Sequence, residues 1–213
     1  MSRLRHDLPN DLSGQFRETP SQTAGPYVHI GLTPNHAEIE GVYPEDLGRS
    51  MLDPGAQGER ITLRGCVWDG AGAPVRDALV EIWQADAAGL HPGIGEPRGV
   101  ADAAFSGFGR CASDGETGEW TFETVRPGRV PFKDGRLMAP HITFWIVARG
   151  VNIGLHTRMY FPDEAVANAE DPVLARIEHR DRAATLIAVQ EGPGAFRFDI
   201  RLQGERETVF FDI

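Results

Sequence analysis

Short apolar runs, each closed by a turn signal, set the first limit on how this chain can fold. In residues 195–202, Phe196, Phe198, Ile200 and Leu202 fall on one face while Arg197, Asp199 and Arg201 fall on the other. That two-residue period belongs to a half-buried strand. Ile61 and Leu63 alternate with Thr62 and Arg64 over residues 60–66. Further strands are expected over residues 79–86, 119–125, 141–149, 155–161 and 185–190, with Val209, Phe211 and Ile213 in register in a closing run. Tyr27-Val28-His29-Ile30 is a candidate short strand. Turns stand at Asp69–Pro74 and at Pro127-Gly128. The segment from Pro162 reads as a helix start, with Pro early and acids in the first turn, and Asp171-Pro172 interrupts it. Many short strands with turns between them imply an all-β fold, an antiparallel β-sandwich with short helices.

A chain of 213 residues fits one domain, spanning residues 1–213. Residues 1–58 are rich in Pro, Gly and polar side chains and hold few periodic apolar stretches. Such a segment buries itself poorly, so it either is disordered or, as expected here, is an arm packing on a partner chain. Residues from Ala87 to about Arg110 are Gly-rich and read as one long loop. Within it, Gly93-Ile94-Gly95-Glu96-Pro97-Arg98-Gly99 has Arg98 where a dinucleotide loop needs Gly, and it reads as an ordinary loop.

Charge narrows the partners. With 21 Lys and Arg against 31 Asp and Glu, the formal net charge is −10. Such a surface repels nucleic acid and anionic membranes. It also repels a small anionic substrate, which would need a local cation to hold it. Cys66 and Cys111 are isolated in sequence and read as reduced thiols near the core. The opening residues lack the apolar centre of a secretory leader. The expected location is the cytoplasm.

The seven histidines show no compact zinc spacing. Residues 141 and 143 share one face of a strand, so His-x-His there would aim two imidazoles at one ion. The second position is Thr143, a poor ligand for a transition metal. Arg149 ends the same apolar run, where an arginine either pairs with a local carboxylate or meets a ligand.

Several separated motifs agree in order with one family. They are Thr19-Pro20-Ser21-Gln22-Thr23-Ala24-Gly25-Pro26-Tyr27, Trp83-Gln84-Ala85-Asp86-Ala87-Ala88-Gly89, Pro127-Gly128-Arg129-Val130, the strand from His141, and the stretches 155–161, 196–204 and 207–212. Over residues 18–213 the chain resembles the intradiol ring-cleavage dioxygenases, and within them the α chains of heteromers whose iron sits in a β chain. In an iron-bearing member, two tyrosinates and two histidines hold Fe(III). The matching positions here are His91, Val130, His141 and Thr143, so the resemblance implies no metal ligand set and no catalytic residue in this chain. It implies instead a β-chain partner that binds Fe(III), and a higher hetero-oligomer. Thr23, Gly25, Pro26, Tyr27 and Arg149 would line the shared substrate pocket. The implied reaction uses O2 to cleave protocatechuate, a small aromatic acid, between its hydroxylated carbons, giving 3-carboxy-cis,cis-muconate in aromatic catabolism. Two other readings stand beside it: a dioxygenase-like binding module with no catalysis, and a metal hydrolase or cupin-like enzyme using His91 and His141, which needs a third ligand.

Overall fold

Strand β1 (Arg60–Trp68) shows why the alternation matters: Ile61, Leu63, Cys66 and Val67 are buried while Arg60 and Arg64 face water. The protein is described by a computed structural model covering residues 22–25, 27–152 and 154–212. Eight further strands follow: β2 (Leu79–Trp83), β3 (Phe108–Ala112), β4 (Glu119–Val125), β5 (His141–Val147), β6 (Leu155–Tyr160), β7 (Val189–Gly192), β8 (Ala195–Arg197) and β9 (Ile200–Arg201). Two short helices, α1 (Tyr27–Leu32) and α2 (Ala165–Glu170), lie outside the sheets.

The strands form two sheets. One runs β4-β1-β8-β7, with β9 also on β1, and the other runs β3-β2-β5-β6. Their inner faces share one core, in which Trp120 meets Phe144 at 5.3 Å between ring centroids and Phe144 meets Phe198 at 5.2 Å. Tilted aromatic pairs of this kind add roughly 0.5–1.5 kcal/mol each beyond the area they bury. The second sheet is antiparallel throughout, but β1 pairs in parallel with both β8 and β9, so the first sheet is mixed.

Local chemistry departs from the sequence expectation at five places. Tyr27–Ile30 is helical, with Thr33 N–H bonding back to the His29 carbonyl at 2.8 Å. The loop expected over residues 87–110 ends early in β3. Gly109 lets that strand press on the core, since a Cβ there would stand 2.7 Å from Met51 Sδ. Arg180–Leu186 forms a 3-10 turn, which leaves only Val189 and Gln190 of the expected strand, within β7. Phe198 and Asp199 break the 195–202 run into β8 and β9, with Asp199 Oδ1 accepting Cys66 N–H at 3.0 Å. Among the described residues the closing run pairs only at an isolated bridge, His156 with Phe211, and Ile213 lies outside them.

The later part of the expected arm lies on this chain's own domain. Asp46 accepts the backbone N–H groups of Asn35 and His36 at 2.8 and 2.9 Å, and Met51 is 2% exposed within the main core. Cys66 is buried and Cys111 half-buried, and both are free thiols.

One carboxylate ties the start of β5 to the segment after α2. Asp171 is fully buried and accepts N–H from Ala139 at 2.8 Å, Val173 at 2.7 Å and Leu174 at 2.8 Å. Removing it strands two buried donors and one part-buried donor, the buried ones each costing roughly 1–3 kcal/mol. Asp171→Ala is expected to lower the unfolding free energy by about 3 kcal/mol or more, read as a lower midpoint in urea. A midpoint unchanged from the parent would contradict the role given to Asp171.

Candidate functional site

On β5 the even positions Ile142, Phe144 and Ile146 enter the core, so His141, Thr143 and Trp145 lie on the outer face of the second sheet. The antiparallel register sets Trp83 of β2 and Arg158 of β6 on either side of Thr143, and Tyr160 opposite His141. This end of the sheet gathers the four positions that the sequence marks for metal ligation. His91 stacks on Trp83, with ring centroids 6.2 Å apart and planes 5° from parallel, and both border a cleft with Val130. Met138 N–H bonds to the Val130 carbonyl at 2.9 Å, which holds that position beside the entry to β5.

The donors present do not suit ferric iron. Fe(III) favours hard, anionic oxygen ligands, and Val130 and Thr143 supply none. His141 Nδ1 lies 2.8 Å from the Ala139 carbonyl oxygen. A carbonyl only accepts, so Nδ1 carries the proton. Burial, reinforced by the Arg158 charge, pushes the His141 pKa down to about 4, so the ring is neutral near pH 7. Burial lowers the His91 pKa as well, and its Nδ1 is enclosed with no hydrogen-bond partner among the described residues. Two neutral imidazoles without an anionic donor are half of a ligand set. Among the described residues, no three His, Cys, Asp or Glu come together as a metal-holding group. The hydrolase reading lacks its third ligand for the same reason. His156, on the strand next to His141, faces Trp145 instead.

The other end of β5 holds a second constellation. At ~3.3 Å per residue, the strand places Val147 about 20 Å from His141. Beyond it the chain turns through Ala148, Arg149 and Gly150, with Val151 N–H bonding to the Ala148 carbonyl at 3.1 Å. Thr23 closes on that turn: its hydroxyl donates to the Ala148 carbonyl at 3.1 Å and accepts Gly150 N–H at 3.0 Å. Gly25 N–H reaches the same hydroxyl at 3.4 Å, with Gly25 at φ +64°, a left-handed conformation that suits glycine. Thr23, Gly25 and Arg149 are thus brought together, more than 120 residues apart in sequence. Tyr27 opens α1 nearby and is 77% exposed. Pro26 lies outside the described residues.

Arg149 has a partner that sequence reading missed. Its Nε donates to Asp77 Oδ2 at 2.9 Å, while the side chain stays 66% exposed. The Asp77 carbonyl in turn accepts from His29 Nε2 at 3.1 Å. Asp77 therefore links α1 and Arg149, and both it and Arg149 border an open cleft of about 680 Å³. Asp77 sits in a turn before β2, where no periodicity marks it. The expected alternatives for Arg149, an ion pair or a ligand contact, are compatible here, because among the described residues only Nε is bonded.

Comparison with known proteins places this geometry. A family model described as "Dioxygenase" matches residues 33–204. The protocatechuate 3,4-dioxygenase alpha chain of Pseudomonas putida is 51% identical over 198 residues, covering 92% of this chain and 96% of that one. The protocatechuate 3,4-dioxygenase beta chain of Burkholderia cepacia is 36% identical over 183 residues, covering 81% of this chain and 77% of the relative. Among solved structures, the dioxygenase domain of a dioxygenase–carbohydrate-binding fusion from Streptomyces sp. SirexAA-E superposes with a TM-score of 0.53 at 25% identity, covering 91% of this chain and all of that domain. Among the described residues no helix is long and apolar enough to cross a membrane.

The buried His141 yields a pH dependence. Its ordinary pKa of 6.5 falls to about 4 in the fold, so the unfolded chain binds the extra proton first as pH drops. The stability is complete above pH 6.5 and is lost as pH falls toward 4, by on the order of 3 kcal/mol from this group. His141→Asn keeps an N–H for Ala139 and removes the titration. Urea midpoints followed over that range should fall less steeply in the variant; parallel curves would contradict a neutral, buried His141.

Proposed function

The chain belongs to the intradiol ring-cleavage dioxygenase family, and from that premise we propose that it is the α, non-iron subunit of a protocatechuate 3,4-dioxygenase. The observation that carries this reading is the separation of two sites along β5. The ligand positions at its start lack anionic oxygen, whereas the Thr23 clasp and Arg149 at its far end are built and solvent-facing. A metal-free copy of the fold with a prepared second surface suits a chain that completes a partner's pocket. Fe(III), bound by the β chain, supplies the activation of the ortho-diphenol toward O2.

In this reading Arg149 holds the substrate carboxylate. A guanidinium offers paired donors that match a carboxylate, and Asp77 fixes Nε while leaving the exposed Nη edge toward solvent. Positioning of this kind raises rate by orienting the ring without contributing a ligand. Gly25 lets the backbone approach closely, Tyr27 adds an aromatic wall, and Pro26 completes the segment. The chain is then a single domain over residues 1–213, and the exposed Tyr27, beside the Thr23 clasp, faces the partner. A higher hetero-oligomer in the cytoplasm, acting on a small aromatic acid with O2, completes the proposal.

The ion pair with Asp77 is also what a purely structural Arg149 would make, and kinetics separates the two. Loss of a charged hydrogen bond costs about 1.5–3 kcal/mol, so Arg149→Ala in the complex should raise KM for protocatechuate roughly ten- to a hundredfold. Catechol lacks the carboxylate and should be affected far less. An equal rise for both substrates would sink the carboxylate role. Deleting residues 1–27 removes the Thr23 clasp and should weaken partner binding or oxygen uptake, whereas a truncated complex with full activity would show that the arm is dispensable.

A further inference from the structure

A second cleft, of about 500 Å³, opens on the outer face of β5 and β6. Its size falls within the range that encloses small molecules. Thr143 and Arg158 form part of its floor, opposite one another in register. Arg176 and Arg182 enter from the 3-10 turns Leu174–Arg176 and Arg180–Leu186. Phe132 and Phe211 close it from two other segments.

Its cations are the unusual feature. Three arginines line the cleft against two acids, Glu178 and Asp212, on a chain whose net charge is −10. Arg182 is committed, pairing with Glu207 at 3.0 Å. Arg158 and Arg176 form no ion pair with a carboxylate among the described residues, although Arg158 also bonds to the Tyr160 hydroxyl and Arg176 feels the charge of Asp134. Arg158 Nη1 donates to Met138 Sδ at 3.4 Å, a weak neutral acceptor, and its Cζ lies 5.9 Å from the Phe211 ring centre. Arg176 Cζ stands 4.7 Å from the centre of the Phe132 ring. Each guanidinium is held against an aromatic ring, leaving in-plane donors that a bidentate anion would satisfy. The remaining wall is largely apolar, with Ile177 and Val209 among its residues. A bare inorganic anion would make no use of that wall.

We infer that this cleft binds a small organic anion without a metal: a carboxylate held by Arg158 and Arg176, with a flat apolar body against Phe132 and Phe211. Carboxylate and ring are the two features that the charges and the apolar wall separately select. The described lining of this cleft comes from this chain and includes none of Thr23, Gly25, Tyr27 and Arg149.

4-Fluorobenzoate reports on it by 19F NMR in the full chain co-purified with an iron-bearing partner. Ligand close to ferric iron is broadened by the paramagnetic ion, whereas ligand in this metal-free cleft gives a sharp bound signal, and the readout needs no ring cleavage. Arg158→Gln combined with Arg176→Gln should weaken the sharp-signal binding by roughly tenfold or more. Arg176 is exposed, so Arg176→Gln alone spares the fold and should still weaken binding severalfold. 4-Fluorobenzyl alcohol, with the same ring and no charge, should bind there at least about tenfold more weakly. Absence of a sharp bound signal, unchanged affinity in Arg176→Gln, or equal binding of the alcohol would each overturn the assignment.

Discussion

Everything functional in this chain hangs on the antiparallel register of β2, β5 and β6. That register buries Ile142, Phe144 and Ile146 and so commits His141, Thr143 and Trp145 to the outer face. A slip of one residue would exchange the two sets and put His141 into the core. Tight packing enforces the choice. Trp145 lies so close to Gly154 that a Cβ at that position would overlap the indole, and Trp120 and Phe198 fill the space around Phe144 from the facing sheet. With the register fixed, one strand carries a degenerate ligand cluster at its start and leads to the Arg149 turn at its end.

The two ends differ in how they are held. At the start of β5 the His141 ring is enclosed and neutral. Asp171 satisfies the Ala139 N–H, the Ala139 carbonyl takes the His141 proton, and burial keeps the imidazole uncharged. That arrangement stabilises structure, and the four ligand positions His91, Val130, His141 and Thr143 offer no anionic oxygen for a ferric ion. At the far end the groups are charged and open to solvent. Thr23 satisfies both sides of the 148–150 turn with one hydroxyl, and Asp77 steadies Arg149 from one edge.

Much of the fold was legible because burial and alternation coincide. The strand expected over residues 119–125 is β4 in full, and β1, β5 and β6 fall within about two residues of their expected bounds. The misses have physical causes. β3 lay hidden in a Gly-rich stretch because Gly109 is there for close packing on Met51 and Ile82, a tertiary demand that composition does not reveal. Tyr27–Ile30 has strand-like residues yet forms a helical turn, since His29 and Thr33 bond to each other one turn apart. Val209 and Phe211 point toward a smaller cluster around Tyr160 and Leu186 without building a ladder. At the site, Thr23, Gly25 and Arg149 could be singled out by motif, but their meeting place could not be derived from spacing. Asp77 and Arg158 carry no local pattern at all; only the folded register shows what they face.

The most direct measurement is iron content and oxygen uptake with protocatechuate, made on this chain purified alone and on the same chain co-expressed with an iron-carrying β chain. The account predicts neither bound iron nor uptake in the chain alone, and both in the complex, with the iron lost when the β chain's ligands are removed. Iron and ring cleavage in the isolated chain would contradict it, because His91, Val130, His141 and Thr143 would then be holding a metal for which they offer no anionic oxygen.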